Sequence, residues 1–234
     1  MILLVKLILA HILGDFILQP KSWVKNKEKN KLKSVVLYAH VALHAALLFL
    51  LIWDFSYWPL ILMLSVLHLI IDAVKLIFQT KATKRIWFFI DQALHLTAIF
   101  VVFLLYTNTS ILALNLPTTS ALLLLTCLIF LTKPTAIIMQ VVFSKWDIKK
   151  LTKTSESLAH AGMYIGVLER LLVFIFIIMG HWEAVGFLIT AKSVFRFGDL
   201  KEAKHRKLTE YVLIGTLISF GIAVVTGILY ITLI

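Results

Sequence analysis

Apolar runs close to bilayer-spanning length recur through all 234 residues of this chain, and in the first 95 residues ionisable side chains sit inside them in pairs four positions apart. That combination leaves few folds open. Hydrocarbon offers a backbone no hydrogen-bond partner, so apolar runs of this length form helices that bond within themselves. With 61% apolar side chains and a mean hydropathy of +0.97, the chain holds more hydrocarbon than one soluble core can hide. The fold class is all-α, a polytopic membrane helix bundle.

Eight transmembrane helices are expected in order. The first covers about 2–19 and sits where a signal sequence would, but it has no small-x-small cleavage site and carries His11 and Asp15 at its middle, so it stays in the mature protein. Pro20 ends it, and 21–33 reads as a lysine-rich loop. The second spans about 34–53, followed by an aromatic turn suited to a membrane interface. The third spans about 59–79 and the fourth about 86–106. The fifth, about 120–143, contains Lys133-Pro134 and should kink there. The sixth spans about 158–179, a shorter seventh about 184–197, and the eighth about 210–233. Three regions result: a four-helix metal-binding bundle over 1–106, an outer loop over 107–119, and a second helical half over 120–234.

The loops supply an orientation. Lysine and arginine fill the first, third, fifth and seventh connections and are missing from the second, fourth and sixth. By the positive-inside rule the basic connections are cytoplasmic and both termini lie outside, in a bacterial inner membrane. Lys6 is the one cation on the outer side, and it can snorkel to the interface. The net charge of +11 is therefore read as topology and gives no reason to invoke nucleic acid. The bilayer itself is the expected partner. The single cysteine, Cys127, lies in an apolar run and excludes both disulfides and thiolate metal sites.

The pairs are His11 with Asp15, His40 with His44, His68 with Asp72, and Asp91 with His95. Residues i and i+4 share a helix face, so each pair aims two potential ligands in one direction. With the expected topology all eight fall in one slab, about 6 to 16 Å from the inner surface at 1.5 Å rise per residue. His11, His44, His68 and His95 form a deeper tier. Asp15, Asp72, Asp91 and His40 lie nearer the cytoplasm. The order His-x-x-x-Asp on the first and third helices reverses to Asp-x-x-x-His on the fourth, as common depth requires of antiparallel helices.

The two hairpins place their ligands alike, so two similar half-sites would build one site. An isolated His in a membrane often serves only as a hydrogen-bond donor, and an isolated Asp can pair with a lysine such as Lys75. Three aspartates at one depth, however, repel unless cations join them. The expectation is a divalent metal, two ions about 3.5 to 4 Å apart, with zinc first and iron or manganese as alternatives for imidazole and carboxylate ligands.

The second half carries Glu169 and Arg170 near the centre of the sixth expected helix, and Lys192 and Arg196 four positions apart on the seventh. Beside a metal cluster these residues would hold an anionic substrate. The competing account is an internal ion pair, Glu169 or Glu210 with Arg170 or Arg196. His181 and His205 fall in connections and read as solvated, and His160 lies at the inner end of the sixth helix.

The run His11-Ile-Leu-Gly14-Asp15-Phe-Ile-Leu-Gln19, with Gly166-Val-Leu-Glu169-Arg170, Ala191-Lys192-Ser193, Arg196-Phe197 and Glu210-Tyr211 to Gly215-Thr216, resembles a bacterial membrane-protein family of unknown function over nearly the whole chain. The first half is similar in style to predicted membrane-bound metal-dependent hydrolases. Its ligand types are also similar to those of zinc-dependent phospholipase C and related nucleases, which are phosphodiesterases. The resemblance implies an enzyme, a metal-dependent hydrolase acting through activated water on a phosphoester or ester of a lipid or small anionic substrate at the cytoplasmic leaflet. A di-iron lipid oxidase or hydroxylase and a divalent metal transporter are the alternatives. The histidine boxes of membrane oxidases are met only by His40 and His44, and eight ligands suit a retained ion better than one in transit.

Overall fold

The structure is a computed structural model that describes residues 2–107, 120–146, 161–194 and 203–234, with 203–208 as backbone alone. Every regular element among the described residues is helical. Among the described residues, six helices are long and apolar enough to cross a membrane: Val35–Ile52, Phe55–Phe78, Lys84–Thr107, Ser120–Phe143, Ala161–Ile178 and Thr209–Leu233. The N-terminal segments Ile2–Ile17 and Lys21–Lys33 pass that test only as a pair, bent by 84°, which makes up to seven spans where eight were expected. The chain is a membrane protein built as a helix bundle. It divides into two compact units, Met1–Thr126 and Cys127–Ile234.

In the first unit, α1 (Ile2–Ile12) runs into a π-helical turn, Leu13–Ile17, closed by Leu18 N–H donating to Leu13 O at 2.8 Å. Single π turns inside helices are rare and gather at functional sites. Pro20 then starts α2 (Lys21–Asn30), continued by a 3₁₀ turn over Lys31–Lys33. This corrects the expected loop. The segment is polar, but lysine is a good helix former, and a proline just before the first helical residue presets the turn. Asn26 ties α2 to the following helix by accepting from Ser34 Oγ at 2.8 Å.

Three long helices complete the unit: α3 (Val35–Ile52), α4 (Trp58–Phe78) and α5 (Lys84–Thr107). α3 ends at Trp53, whose N–H closes the last helical bond to Phe49 O at 2.9 Å and whose left-handed backbone (φ 55) turns the chain out of the helix. Asp54 caps the short turn that follows, its carboxylate accepting from Ser56 N–H at 2.9 Å; this bond holds the carboxyl below its ordinary pKa. Pro59 sits in the first turn of α4, where its missing N–H costs nothing. α3 packs on α4, α4 on α5, and α1 against both α3 and α5. Leu7, Leu48, Leu60, Leu64, Val102 and Phe103 form the buried hydrocarbon core of the four helices. The opposite faces carry exposed Leu50, Leu62, Ile70 and Leu105, as a lipid-facing surface should.

The division between units falls within α6 (Ser120–Leu131), which the expected kink separates from α7 (Lys133–Phe143) at Thr132. Proline near the start of a new helical segment removes a donor and breaks the ladder. α8 (Ala161–Ile178) packs along α10 (Ala203–Leu233), with α9 (Trp182–Val194) against α8. Gly227 is required at the α8–α10 crossing, since a Cβ there would lie 2.7 Å from Ile177 Cγ2. α9 has 13 described residues, short of the 18 used to define a span.

Candidate metal centre

The eight ligand candidates converge inside the first unit. Asp15 comes from the π-helical turn, His11 from α1, His40 and His44 from α3, His68 and Asp72 from α4, and Asp91 and His95 from α5. All are buried except Asp15, whose side chain is still only 9% accessible. Gly14 makes the convergence feasible. A Cβ at Gly14 would stand 2.3 Å from His44 Nε2, so only glycine lets the imidazole lie against the turn.

Asp15 Oδ1 is the focus of one half of the site. His44 Nε2 lies 3.0 Å from it, His40 Nε2 3.1 Å and His68 Nε2 3.8 Å. The Nε2 atoms of His40 and His68 are themselves 3.2 Å apart. Two ligands on a tetrahedral ion with bonds of about 2.0–2.1 Å are separated by about 3.3 Å. His11, Asp15, His44 and His68 each place one ligand atom within 4.8 Å of the others, and so do His40, His68 and Asp72.

The other half gathers on His95. Its Nε2 lies 3.6 Å from Asp91 Oδ1 and 3.7 Å from Asp72 Oδ1, both too long for a hydrogen bond. Among the described residues, Asp91 Oδ1 and His95 Nε2 are buried with no hydrogen-bond partner. The outer oxygens are occupied: Lys27 Nζ donates to Asp72 Oδ2 and Lys75 Nζ to Asp91 Oδ2, each at 2.7 Å. Lys75 thus pairs with Asp91 on the neighbouring helix and not with Asp72 on its own.

Two glutamines complete the shell. Gln92 Nε2 donates to Asp15 Oδ2 at 2.9 Å, while its Oε1 accepts from His11 Nε2 at 3.2 Å. Gln19 lies 3.0 Å from His40 Nδ1. A cavity of about 30 Å³ touches His11, His44, His68 and His95 on one side and Leu7, Leu48, Leu64 and Ile99 on the other. That is room for about one water molecule.

Lys27, Gln19 and Gln92 went unread in the sequence. Gln19 follows Asp15 by four positions, a spacing that signals a shared face, and Gln92 adjoins Asp91. Lys27 gave no signal among its neighbouring lysines. Its burial, at 6% accessible, depends on the bend that folds α2 over the bundle.

Residues 3–123, more than half of the chain, match a family described as a protein of unknown function, DUF3307. The chain belongs to that family. The DUF3307 match contains all eight ligand candidates with Gly14, Gln19, Lys27, Lys75 and Gln92, and leaves the motifs quoted beyond residue 123 outside it. No curated protein and no solved structure matches the chain.

In the second unit Glu169, Arg170 and Lys192 line one cavity of about 470 Å³ with Gln140, Tyr211 and Thr216. Of the glutamates considered for an ion pair with arginine, Glu169 is held by a lysine. Lys192 Nζ donates to Glu169 Oε2 at 2.5 Å, while buried Arg170 donates Nε–H to Leu131 O at 2.7 Å, with further bonds to Thr132 O and Ser219 Oγ. The guanidinium caps the Leu131 carbonyl where α6 breaks and shares the Thr132 carbonyl with the Ala136 N–H. Gly166 leaves it room, since a Cβ there would lie 3.3 Å from the guanidinium. Arg196 and His160 lie outside the described residues, as does the side chain of His205. His181 is exposed and lies 3.1 Å from Glu183 Oε1.

Proposed function

We propose that the chain is a membrane-embedded metal-dependent hydrolase whose first unit holds a divalent ion on Asp15, His40, His44 and His68. Its substrate is a phosphoester or ester, of a lipid or a small anion, met at the cytoplasmic leaflet of a bacterial inner membrane. One observation carries the reading: three imidazole Nε2 atoms stand 3.0, 3.1 and 3.8 Å from a single buried carboxylate oxygen. Imidazole and carboxylate without thiolate favour zinc, with iron or manganese as alternatives.

When bound, the ion supplies Lewis acidity and lowers the pKa of water towards neutrality. The chain's own residues do the rest. Gln92 bonds the outer oxygen of Asp15 and anchors it to His11, so the carboxylate keeps Oδ1 directed at the histidines. Gln19 Nε2 lies 3.0 Å from both ring nitrogens of His40 and holds that ring in place beside Asp15. Leu7, Leu48, Leu64 and Ile99 close the cavity beside the imidazoles and limit it to about one water. Lys27 and Lys75 offset two of the three buried carboxylates.

The test is hydrolysis of p-nitrophenyl phosphate, bis-p-nitrophenyl phosphate and p-nitrophenyl acetate by the detergent-purified chain. Activity should vanish with chelator, return with zinc, and be missing from His68→Ala. Inactivity towards all three esters, combined with zinc flux in proteoliposomes, overturns the hydrolase in favour of transport. Bound iron with visible absorption overturns it in favour of an oxidase.

A further inference from the structure

Asp91 Oδ1 and His95 Nε2 are the two buried side-chain atoms that lack a hydrogen-bond partner among the described residues, and they belong to side chains 1% and 3% accessible. They face each other at 3.6 Å, with Asp72 Oδ1 at 3.7 Å from the same nitrogen. Nothing in the first ion's shell uses them. Buried polar atoms nearly always find partners, and hydrocarbon offers none.

Two buried ligand atoms too far apart to bond each other fit a shared cation. Ligand atoms 90 to 120° apart on an ion with bonds of about 2.1 Å are separated by about 3.0 to 3.6 Å. A third oxygen is at hand, because Asp15, Asp91 and His95 each place a ligand atom within 4.8 Å of the others. Asp15 belongs to both halves of the site and has two oxygens to divide between them.

The lysines fit the same arrangement. Lys27 bonds Asp72 Oδ2, and Lys75 with Gln92 bonds Asp91 Oδ2, so each carboxylate has its far oxygen held and its near oxygen turned towards His95. Ligating carboxylates are commonly fixed by such outer hydrogen bonds. We infer that Asp72, Asp91 and His95, with Asp15 shared, form a second divalent-cation position whose carboxylates are oriented by Lys27 and Lys75. This rests on the first ion proposed above and adds its partner.

Charge then narrows the substrate. Three carboxylates and two ammoniums leave one net negative charge on the ligands when the imidazoles are neutral. Two divalent ions convert that to three positive charges in a buried site. Such an excess selects an oxyanion of multiple charge, a phosphate monoester, over a neutral carboxylic ester.

The experiment is elemental analysis of the purified full chain after zinc loading and gel filtration, on wild type, His95→Gln and His44→Gln. Wild type should hold two zincs and His95→Gln one. X-ray absorption on wild type, which needs no variant to fold, should show a metal–metal vector at about 3.5 to 4 Å. Inorganic phosphate should bind wild type at least tenfold more tightly than His95→Gln. One zinc in both wild type and His95→Gln, or two in both, overturns the second position and leaves the first intact. A single zinc lost in His95→Gln and kept in His44→Gln overturns the first position instead. No zinc in wild type overturns both, and equal phosphate affinities overturn the charge selection.

Discussion

Gly14→Ala adds one methyl group where the site has no space for it. The Cβ would fall 2.3 Å from His44 Nε2, 2.4 Å from Cε1 and 2.8 Å from Cδ2, against an ordinary contact of at least 3.4 Å. The ring must retreat by about 1 Å, the difference between those distances. It cannot retreat freely, because His68 and His40 lie behind it with ring centroids 3.9 and 4.6 Å away. Overpacking of this kind costs about 1 to 3 kcal/mol. A ligand displaced by about 1 Å should weaken metal binding by at least the 10- to 100-fold typical of outer-shell losses. Competition for zinc against a chromogenic chelator, with thermal unfolding in the same detergent, measures both effects. Gly162→Ala and Gly186→Ala are the controls, since a Cβ at either meets nothing within 4 Å. Unchanged zinc affinity and unchanged stability in Gly14→Ala would refute the idea that this glycine exists to seat His44.

Lys27→Met strands the Asp72 carboxylate in a buried position, which should cost about 3 to 5 kcal/mol in metal-free protein; the loss should shrink when zinc is bound, and equal losses with and without zinc would show that no cation substitutes for the lysine. In the second unit, Glu169→Gln and Lys192→Met should each destabilise by about 1 to 3 kcal/mol, and the double variant by less than their sum; additive losses in thermal unfolding would mean the pair is not coupled. At the turn after α3, Asp54 has a folded-state pKa below its ordinary value, so its contribution is complete above about pH 3.9 and is lost as the pH falls further. Hydrogen-exchange protection of the Ser56 amide should decline over that range in wild type and stay flat in Asp54→Asn; the same decline in both would assign it to something else.

The first unit was legible because its chemistry is periodic. His68 and Asp72 share a helix face by spacing alone, and ionisable groups in lipid are costly enough that four such pairs point to one place. The break at Thr132 was legible for the same local reason, a proline inside an apolar run. What escaped depended on long-range contact. Nothing near Lys27 distinguishes it from the lysines around it, and its burial follows from an 84° bend between Ile17 and Lys21. A sequence shows the charges that could pair with Arg170 and hides the carbonyls; the Leu131 carbonyl becomes its acceptor only where α6 stops. Gly14 was legible as part of the motif around Asp15, but its purpose needed the position of His44, thirty residues away and on another helix.

The most direct test of the account is zinc-edge X-ray absorption on the full chain, purified without added chelator and reloaded with zinc. The ligand set predicts a first shell of nitrogen and oxygen at about 2.0 to 2.2 Å with imidazole outer-shell scattering and no sulfur. His68→Ala should lose that signal. A chain that holds no zinc, or one whose zinc signal is the same in wild type and His68→Ala, would contradict the claim that the buried histidines and aspartates of the first unit form a metal centre.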